Sequence, residues 1–402
     1  MKQTEIGLIP DDWEVKEIKD FADVTTGDKN TQDAEENGKY PFYVRSPIVE
    51  RINKFSYDTE GVITAGDGVG TGKVFHYAKG KFGLHQRAYL IYNFKNTDPK
   101  YFYYNFSKNF YERVHSMTAK SSVDSVRREM ITKMQIPIPQ TLAEQQRIAK
   151  ALSDVDALIS TTEKLIQKKK NIKQGAMQNL LTGKKRLPGF GDKQTDLFVP
   201  NGTHTKEVKN VSPEQNRLSA KMKQTELGEI PVDWEVKSLG EMLKIGHGKD
   251  YKNLKSGNVP VYGTGGYMTS VNDFLYEGET VCIGRKGTID KPQYHSGKIW
   301  TVDTLFYTYD FKSLNPKYLF YKFCLIDWLS MNEASGVPSL TAKNIEDIKI
   351  TIPTEEEQTA IANVLSSMDK EIETLNTKLE KYRNLKTAMM QQLLTGKIRL
   401  VK

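Results

Sequence analysis

The chain has 402 residues, of which 38% are hydrophobic and 27% are charged, so its composition is that of a globular protein with room for two or three domains. No stretch approaches the roughly 18 consecutive apolar residues of a membrane-spanning helix, and the charged N-terminal segment lacks the apolar core of a signal peptide. The cysteines, Cys282 and Cys324, are too few for a disulfide framework or a cysteine-built zinc site. We therefore expect a cytoplasmic protein that does not enter a membrane.

The formal net charge of +8 is unevenly distributed along the chain. Residues 141–187 carry ten basic and four acidic side chains, whereas 1–140 and 222–353 are close to neutral. Net charge alone is therefore a weak argument for nucleic-acid binding, and phosphate contacts would need a local cluster of basic groups.

A comparison of the chain with itself reveals a tandem repeat. The stretches between the matching segments differ in most side chains. We infer that shared positions form a common scaffold and that the divergent stretches are free to perform different tasks. The copies agree most closely in these segments: 1–18 with 222–239, 136–139 (IPIP) with 350–353 (ITIP), and 180–187 (LLTGKKRL) with 393–400 (LLTGKIRL).

Each copy begins with a region of predicted short strands. Asp98-Pro99 and Asn315-Pro316 then predict an N-cap followed by proline in the first turn of a helix. The strands are predicted from short apolar or alternating runs between Gly-, Asn- and Pro-containing turns: GVITA (61–65), AYLIYNF (88–94), ETVCIG (279–284) and TLFYTYDF (304–311).

A long helix is predicted after each region. After Pro139 there is no proline until Pro188, and after Pro353 there is none. Apolar residues recur at spacings of three and four in both windows, which predicts a heptad seam between packed helices. About 39 residues at about 1.5 Å each give a rod of about 58 Å.

We expect the two helices to pack in antiparallel directions. Glutamates at 355–357 open the second helix, and lysines at 168–170 and 173 lie late in the first. Opposing directions bring these unlike charges nearer and suit both helix dipoles.

The predicted fold class is α+β, with two similar globular α/β domains, each followed by a long helix, and with pseudo-two-fold symmetry between the copies. The segment between the copies is polar and reads as a linker. The predicted boundaries are 1–140 for the first domain, 141–182 for its helix, 183–221 for the linker, 222–353 for the second domain, 354–395 for its helix and 396–402 for a tail.

Catalytic motifs are incomplete in this sequence. GDGVGTGK (66–73) would need Gly in place of Asp67 and Ser or Thr in place of Val74 to be a P-loop, so a tight strand turn is favoured. Asn315-Pro316-Lys317-Tyr318 resembles the NPPY loop of adenine methyltransferases, but lysine replaces the second proline. The six histidines show no metal-binding spacing, and Trp13 and Trp234 are most simply core anchors. We predict no catalytic residue, bound cofactor or metal in this chain.

The repeated segments together resemble the specificity subunit of type I DNA restriction–modification systems over nearly the full length. Three features carry the resemblance, and each occurs twice. They are the P-x-D-W opening (Pro10, Asp12, Trp13; Pro231, Asp233, Trp234), the proline-rich exit into E-Q-x-x-I-A (136–152 and 350–365), and the closing segments LLTGKKRL and LLTGKIRL.

The resemblance implies two target-recognition domains, each of which binds one half of a split site in double-stranded DNA. The long helices would hold the domains apart and set the spacer between the half-sites. The resemblance also implies two kinds of partner: two modification subunits, which carry AdoMet and methylate adenine, and two restriction translocase subunits. AdoMet, ATP and Mg²⁺ are expected on those partners only.

For DNA contacts we favour basic residues in divergent glycine- or serine-rich turns, because arginine and lysine bond guanine or hold phosphate. Adjacent charges make the pairs at 127–128 and 285–286 the stronger candidates, and a solvated surface charge is the alternative for each residue. The candidates are Arg45, Lys73, Lys120, Arg127 and Arg128 in the first domain, and Lys249, Arg285, Lys286 and Lys343 in the second.

Two other classes of function stay open from the residues alone. The near-neutral globular regions are compatible with a protein–protein adaptor whose domains are joined by a coiled coil. A hydrolase that uses His85 or His295 would require a site shared with a partner.

Overall fold

The computed structural model describes residues 1–118, 125–191 and 222–401. The chain forms two compact units. Unit 1 contains Met1–Lys164 and Thr377–Lys402, and unit 2 contains Leu165–Asn376. Each unit therefore includes one globular domain and a part of each long helix.

Unit 1 is built on a six-stranded sheet with the strand order β4-β9-β7-β8-β5-β6, in which only β5 and β8 pair in parallel. Its helices are α1 (Pro99–Thr118), α2 (Arg128–Thr132) and the first part of α3 (Leu142–Leu180). Its strands are β1 (Lys2–Thr4), β2 (Gly7–Ile9), β3 (Glu14–Glu17), β4 (Asp23–Thr26), β5 (Tyr40–Tyr43), β6 (Glu50–Ile52), β7 (Tyr57–Ala65), β8 (Phe75–Leu84), β9 (Ala88–Tyr92) and β10 (Gln135–Ile138).

Unit 2 repeats this topology with the strand order β14-β19-β17-β18-β15-β16, which confirms the tandem repeat and the α+β class. Its helices are α4 (Leu239–Met242), α5 (Pro316–Phe323), α6 (Ala342–Glu346) and the first part of α7 (Glu355–Leu393). Its strands are β11 (Met222–Thr225), β12 (Gly228–Pro231), β13 (Glu235–Ser238), β14 (Lys244–His247), β15 (Ser256–Gly263), β16 (Gly266–Val271), β17 (Tyr276–Gly284), β18 (Gln293–Thr301), β19 (Leu305–Tyr309) and β20 (Lys349–Ile352).

The predicted helix caps and core anchors are confirmed. Asp98 Oδ1 accepts hydrogen bonds from the backbone nitrogens of Lys100 and Tyr101, and Asn315 caps α5 in the same way. Trp13 and Trp234 are fully buried in the cores of units 1 and 2. The shared residues of the two copies thus serve the scaffold.

Within unit 1, the beginning of α3 packs against the end of α7 in the antiparallel direction. Asp156 pairs with Lys386 and Glu163 pairs with Arg383, both at 2.7 Å, so residue numbers rise along one helix as they fall along the other. The predicted antiparallel packing is confirmed for this part of the helices.

Within unit 2, the same direction holds between the end of α3 and the beginning of α7. Lys169 pairs with Glu371 at 2.8 Å, and Lys173 pairs with Asp369. The helix register places these lysines against acidic residues of α7 about four turns beyond the glutamates at 355–357.

A buried ion-pair cluster closes unit 2. Arg186 is 3% exposed, and its guanidinium donates two hydrogen bonds to Glu357, at 2.5 and 2.6 Å, and two to Asp233, at 3.0 and 2.9 Å. Trp234 Nε1 also donates to Glu357, at 3.1 Å. Burial raises the pKa of Glu357, whereas the hydrogen bonds from Arg186 lower the pKa of Asp233. The cluster joins three motifs: LLTGKKRL, P-x-D-W and the opening of α7.

Unit 1 has the equivalent cluster around Arg399. Its guanidinium donates to both oxygens of Glu144, at 2.5 and 2.8 Å, and to both oxygens of Asp12, at 2.8 Å. The closing segment after α7 therefore packs on the opening of the first copy, and the closing segment after α3 packs on the opening of the second. Each unit is completed by a segment from the other repeat.

We predict that Arg186→Ala destabilises unit 2 by about 3–5 kcal/mol, because it leaves the carboxylate of Glu357 buried without its charged partner. The free energy of unfolding in denaturant measures the loss. Lys184→Ala is the matched control, since Lys184 is exposed in the same segment. Adding Glu357→Gln to the Arg186→Ala variant should recover part of the lost stability. If Arg186→Ala and Lys184→Ala were equally stable, the prediction would be contradicted.

Candidate nucleic-acid interface

In unit 1, several loops meet at one edge of the six-stranded sheet. Ala65, at the end of β7, pairs with Ala88, at the start of β9. Gly66 then joins three segments, because its nitrogen donates to Arg87 O at 2.8 Å and its oxygen accepts from Val126 N at 2.7 Å. We define loop edge 1 by residues 27–29, 66–74, 85–87 and 125–128, together with Arg45.

Unit 2 forms the same edge from different side chains. Gly284, at the end of β17, pairs with Leu305, at the start of β19. Arg285 N donates to Thr304 O at 2.8 Å, and Arg285 O accepts from Leu340 N at 2.9 Å, which reproduces the backbone bonds of Gly66. We define loop edge 2 by residues 248–250, 285–292, 302–304 and 339–343.

A cluster of three charged side chains lies on loop edge 1. Arg45 Nη1 donates to Asp67 Oδ1 at 2.5 Å, and Arg87 Nη1 donates to Asp67 Oδ2 at 3.2 Å. The arginine side chains remain 37% and 60% exposed, so both guanidinium groups reach solvent.

Three other predicted candidates of unit 1, Lys73, Arg127 and Arg128, also lie on loop edge 1. Lys73 lies two residues before β8, with its ammonium 5.4 Å from the centre of the Tyr111 ring. Arg127 is the exposed N-cap residue of α2, and the adjacent Arg128 donates to Val24 O at 2.5 Å. Lys120 lies outside the described residues.

Loop edge 2 surrounds an open depression of about 520 Å³. Arg285 and Lys286, the candidates predicted as an adjacent pair, both line it and are both exposed. Arg285 Nη1 donates to the backbone oxygen of Asp303 at 3.2 Å, which holds the guanidinium at the rim. The other lining residues are His247, Asp303, Thr304, Phe306, Ser339, Leu340, Thr341 and Ala342.

Lys249 and Lys343 lie beside this depression. Lys249 follows β14, and its nitrogen donates to Thr301 O at 2.8 Å, so its exposed side chain starts from a fixed backbone. Lys343 is exposed on α6 and pairs with Asp347 in the next turn of that helix, at 2.6 Å.

The two loop edges differ in their charges at equivalent positions. One residue after Gly66 and Arg285, unit 1 has the acidic Asp67 and unit 2 has the basic Lys286, and these two residues form matching backbone bridges to Ser125 and Ser339. In the turn before the next strand, unit 1 has Arg87, whereas unit 2 has Asp303 one residue earlier. One backbone arrangement therefore presents two different sets of hydrogen-bonding groups.

The glycine-rich segment 66–73 lies between β7 and β8, which confirms the predicted turn between strands. Gly68 and Gly72 have φ values of +77° and +67°, a conformation that residues with a Cβ rarely adopt. Thr71 donates from both its backbone nitrogen and its hydroxyl to Gly68 O, which gives the turn a defined shape.

The histidines considered for a hydrolase have structural contacts. His85 is 4% exposed, and its Nδ1 accepts from Arg87 N at 3.0 Å, which stabilises the turn before β9. His295 stacks on Tyr262 with ring centres 3.7 Å apart, and burial lowers its pKa to about 4. Among the described residues, no group of three or more His, Cys, Asp or Glu side chains is placed to hold a metal ion.

Arg87, Asp67 and His247 were not among the sequence candidates, although Arg87 and Asp67 belong to loop edge 1 and His247 lines the depression of loop edge 2. Arg87 has a signal in the sequence, since it directly precedes the predicted strand at 88–94, and His247 is the last residue of β14. Asp67 has none in a search for basic residues, because its role depends on the two arginines that fold next to it.

Comparisons with known proteins agree with this architecture. The profile of the family "Type I restriction modification DNA specificity domain" matches residues 10–173 and 231–381. No helix in the described ranges is both long enough and apolar enough to cross a membrane.

Relatives match over almost the whole chain. A putative type I restriction enzyme MjaX specificity subunit from Methanocaldococcus jannaschii is 28% identical, and the alignment covers 99% of this chain and 96% of the relative. The type I restriction enzyme EcoDI specificity subunit from Escherichia coli is 22% identical, with 98% and 90% covered.

A crystal structure of the type I restriction–modification S subunit from M. genitalium has the same fold. It superposes with a TM-score of 0.66 and 17% identity, and 98% of each chain is covered. The family profile spans most of both repeats, and we conclude that this chain belongs to the type I restriction–modification DNA specificity family, as a specificity subunit.

Proposed function

We propose that this chain recognises a bipartite, asymmetric site in double-stranded DNA and directs adenine methylation and restriction by partner subunits. The observation that carries the proposal is the pair of loop edges, which share one backbone arrangement and present different exposed basic side chains. Arginine and lysine are the residues that most often bond guanine in the major groove, and they also hold phosphates.

The two unlike edges explain why the site would be asymmetric. Loop edge 1 offers Arg45 and Arg87 around a carboxylate, whereas loop edge 2 offers Arg285 and Lys286 around a depression. Different donor and acceptor patterns select different base pairs, so each domain would read its own half-site.

The long helices would determine the distance between the half-sites. Both α3 and α7 are continuous over 39 residues, and in each unit they are joined by cross-helix ion pairs. A packed pair of helices resists bending more than a flexible linker does, so the spacer would have one length.

The chemistry would belong to partners. We propose two modification subunits, which bind AdoMet and methylate adenine, and two restriction subunits, which use ATP and Mg²⁺. A subunit that directs these enzymes to DNA would work in the cytoplasm.

Sequencing of methylated bases in cells that express this chain with its modification subunit tests the proposal. We expect methylated adenines in two unlike half-sites separated by a constant gap. A protein–protein adaptor would give no such pattern. In vitro, duplex binding that strengthens at low salt and requires both half-sites would exclude the adaptor.

We predict that Arg285→Ala weakens binding to the cognate duplex by about 1–3 kcal/mol if the guanidinium bonds a base. Titration of labelled cognate and random duplexes measures the change. Lys298→Ala is the matched control, because it also removes one positive charge. Lys298 lies opposite Glu277 at the start of β17, at the end of that strand away from loop edge 2. An equal loss on random DNA would assign Arg285 to a phosphate contact.

We also predict that lengthening both helices changes the gap and leaves the half-sites unchanged. Seven residues inserted after Lys164 and seven after Asn376 preserve the heptad and the antiparallel pairing. The insertion adds about 10 Å at about 1.5 Å per residue, which corresponds to about three base pairs at about 3.4 Å each. The methylated sequences report the result. An insertion in α3 alone is the control that disrupts the pairing, and altered half-sites with an unchanged gap would contradict the prediction.

A further inference from the structure

Loop edge 1 places a carboxylate at the centre of a surface that would face DNA. Asp67 follows the central strand β7, and its side chain is 25% exposed. A carboxylate that faces a phosphate backbone is repelled by it, so an acidic residue here weakens non-specific binding. Its presence requires a compensating role.

The contacts of Asp67 supply that role. Each of its two oxygens accepts from a different arginine, Oδ1 from Arg45 at 2.5 Å and Oδ2 from Arg87 at 3.2 Å. Arg45 follows β5 and Arg87 precedes β9, so the carboxylate joins two segments that are far apart in the chain. The backbone of Asp67 is itself held by its bridge to Ser125.

Each guanidinium directs one terminal nitrogen to Asp67. A guanidinium carries five N–H donors in a planar fork, and a bidentate bond to a guanine edge needs two of them. An arginine whose plane is held by a carboxylate loses less side-chain entropy when it binds a base. Without the carboxylate, both long side chains could turn towards the nearest phosphates.

We propose that Asp67 is a positioning residue for sequence recognition, which orients Arg45 and Arg87 towards base edges in the first half-site. This proposal rests on the proposed DNA-binding function of loop edge 1. Loop edge 2 uses a different solution, since Arg285 is held by a neutral backbone oxygen and no carboxylate occupies the place of Asp67.

The proposal predicts opposite changes in affinity and in selectivity for Asp67→Asn. Loss of the negative charge should raise affinity for random duplex. Release of the arginines should lower the enrichment of the first half-site by about tenfold or more, because a well-placed bidentate contact contributes discrimination of that order. Selectivity for the second half-site should not change, and this gives an internal reference.

The experiment uses the full chain and a library of duplexes with randomised positions, followed by sequencing of the bound fraction. Sheared heterologous DNA measures total affinity at the same salt concentration. Asp58→Asn is the matched control, since Asp58 is an exposed acidic residue near the other end of the same strand, β7. Asp67→Glu keeps the charge and should restore part of the selectivity. Thermal unfolding of each variant checks that the domain is folded.

A double-variant cycle with Arg45→Ala separates positioning from direct reading. If Asp67 acts through Arg45, the effects of Asp67→Asn and Arg45→Ala on selectivity are not additive. Additive effects at different base pairs would show that Asp67 contacts a base itself and would overturn the proposal.

Other outcomes also decide the question. Equal loss of affinity for all duplexes would assign Asp67 a role in folding only. Higher affinity for all duplexes with an unchanged base preference would show that Asp67 only repels phosphates. Either result overturns the proposal. If the unaltered chain enriches no sequence at all, the proposed function itself is wrong, which is a distinguishable result.

Discussion

The guanidinium shared by two carboxylates is the contact on which the closure of each unit depends, and it is buried at Arg186 and partly buried at Arg399. Removing an arginine from water is costly, and the cost is offset only when good geometry and additional hydrogen bonds satisfy the charged groups. Arg186 meets this condition with four hydrogen bonds to Glu357 and Asp233, which lie 171 and 47 residues away in sequence. Since the loss of Arg186 leaves the carboxylate of Glu357 buried without its charged partner, the three motifs have to be kept together. This explains why they are the best-matched parts of the repeat.

The glycine of each closing segment is required by the same contact. A Cβ on Gly183 would lie 2.6 Å from Pro231 Cδ, and one on Gly396 would lie 2.3 Å from Pro10 Cγ. Both glycines also have positive φ, at +72° and +67°. The proline of P-x-D-W therefore packs against the glycine of LLTG, and the arginine that follows reaches the aspartate. Two short motifs that are distant in sequence form one interface.

The two units differ in how they satisfy the polar groups near these clusters. Trp234 Nε1 donates to Glu357, whereas Trp13 Nε1 is buried with no hydrogen-bond partner among the described residues. Unit 2 also buries Lys322, whose ammonium donates to Leu181 O at 2.7 Å and to Thr351 Oγ1 at 2.6 Å. Burial lowers the pKa of Lys322 to about 7, yet its position beside the last turn of α3 suits the helix dipole. The duplicated scaffold thus tolerates substitutions inside its core where a local partner exists.

Sequence patterns predicted the scaffold well because its elements depend on local signals. The Asp98-Pro99 cap, the strands within 61–65 and 279–284, and the heptad spacing of the long helices all follow from residues close together in the chain. The partners of Arg186 could not be predicted, since Lys184 and Lys185 carry the same charge and only folding shows which side chain is buried. The same limit applies to Asp67, because its contacts are with two arginines from separate loops. A scaffold that is stabilised by contacts outside the loops leaves equivalent residues such as Asp67 and Lys286 free to differ, and this separation allows one fold to carry two different loop edges.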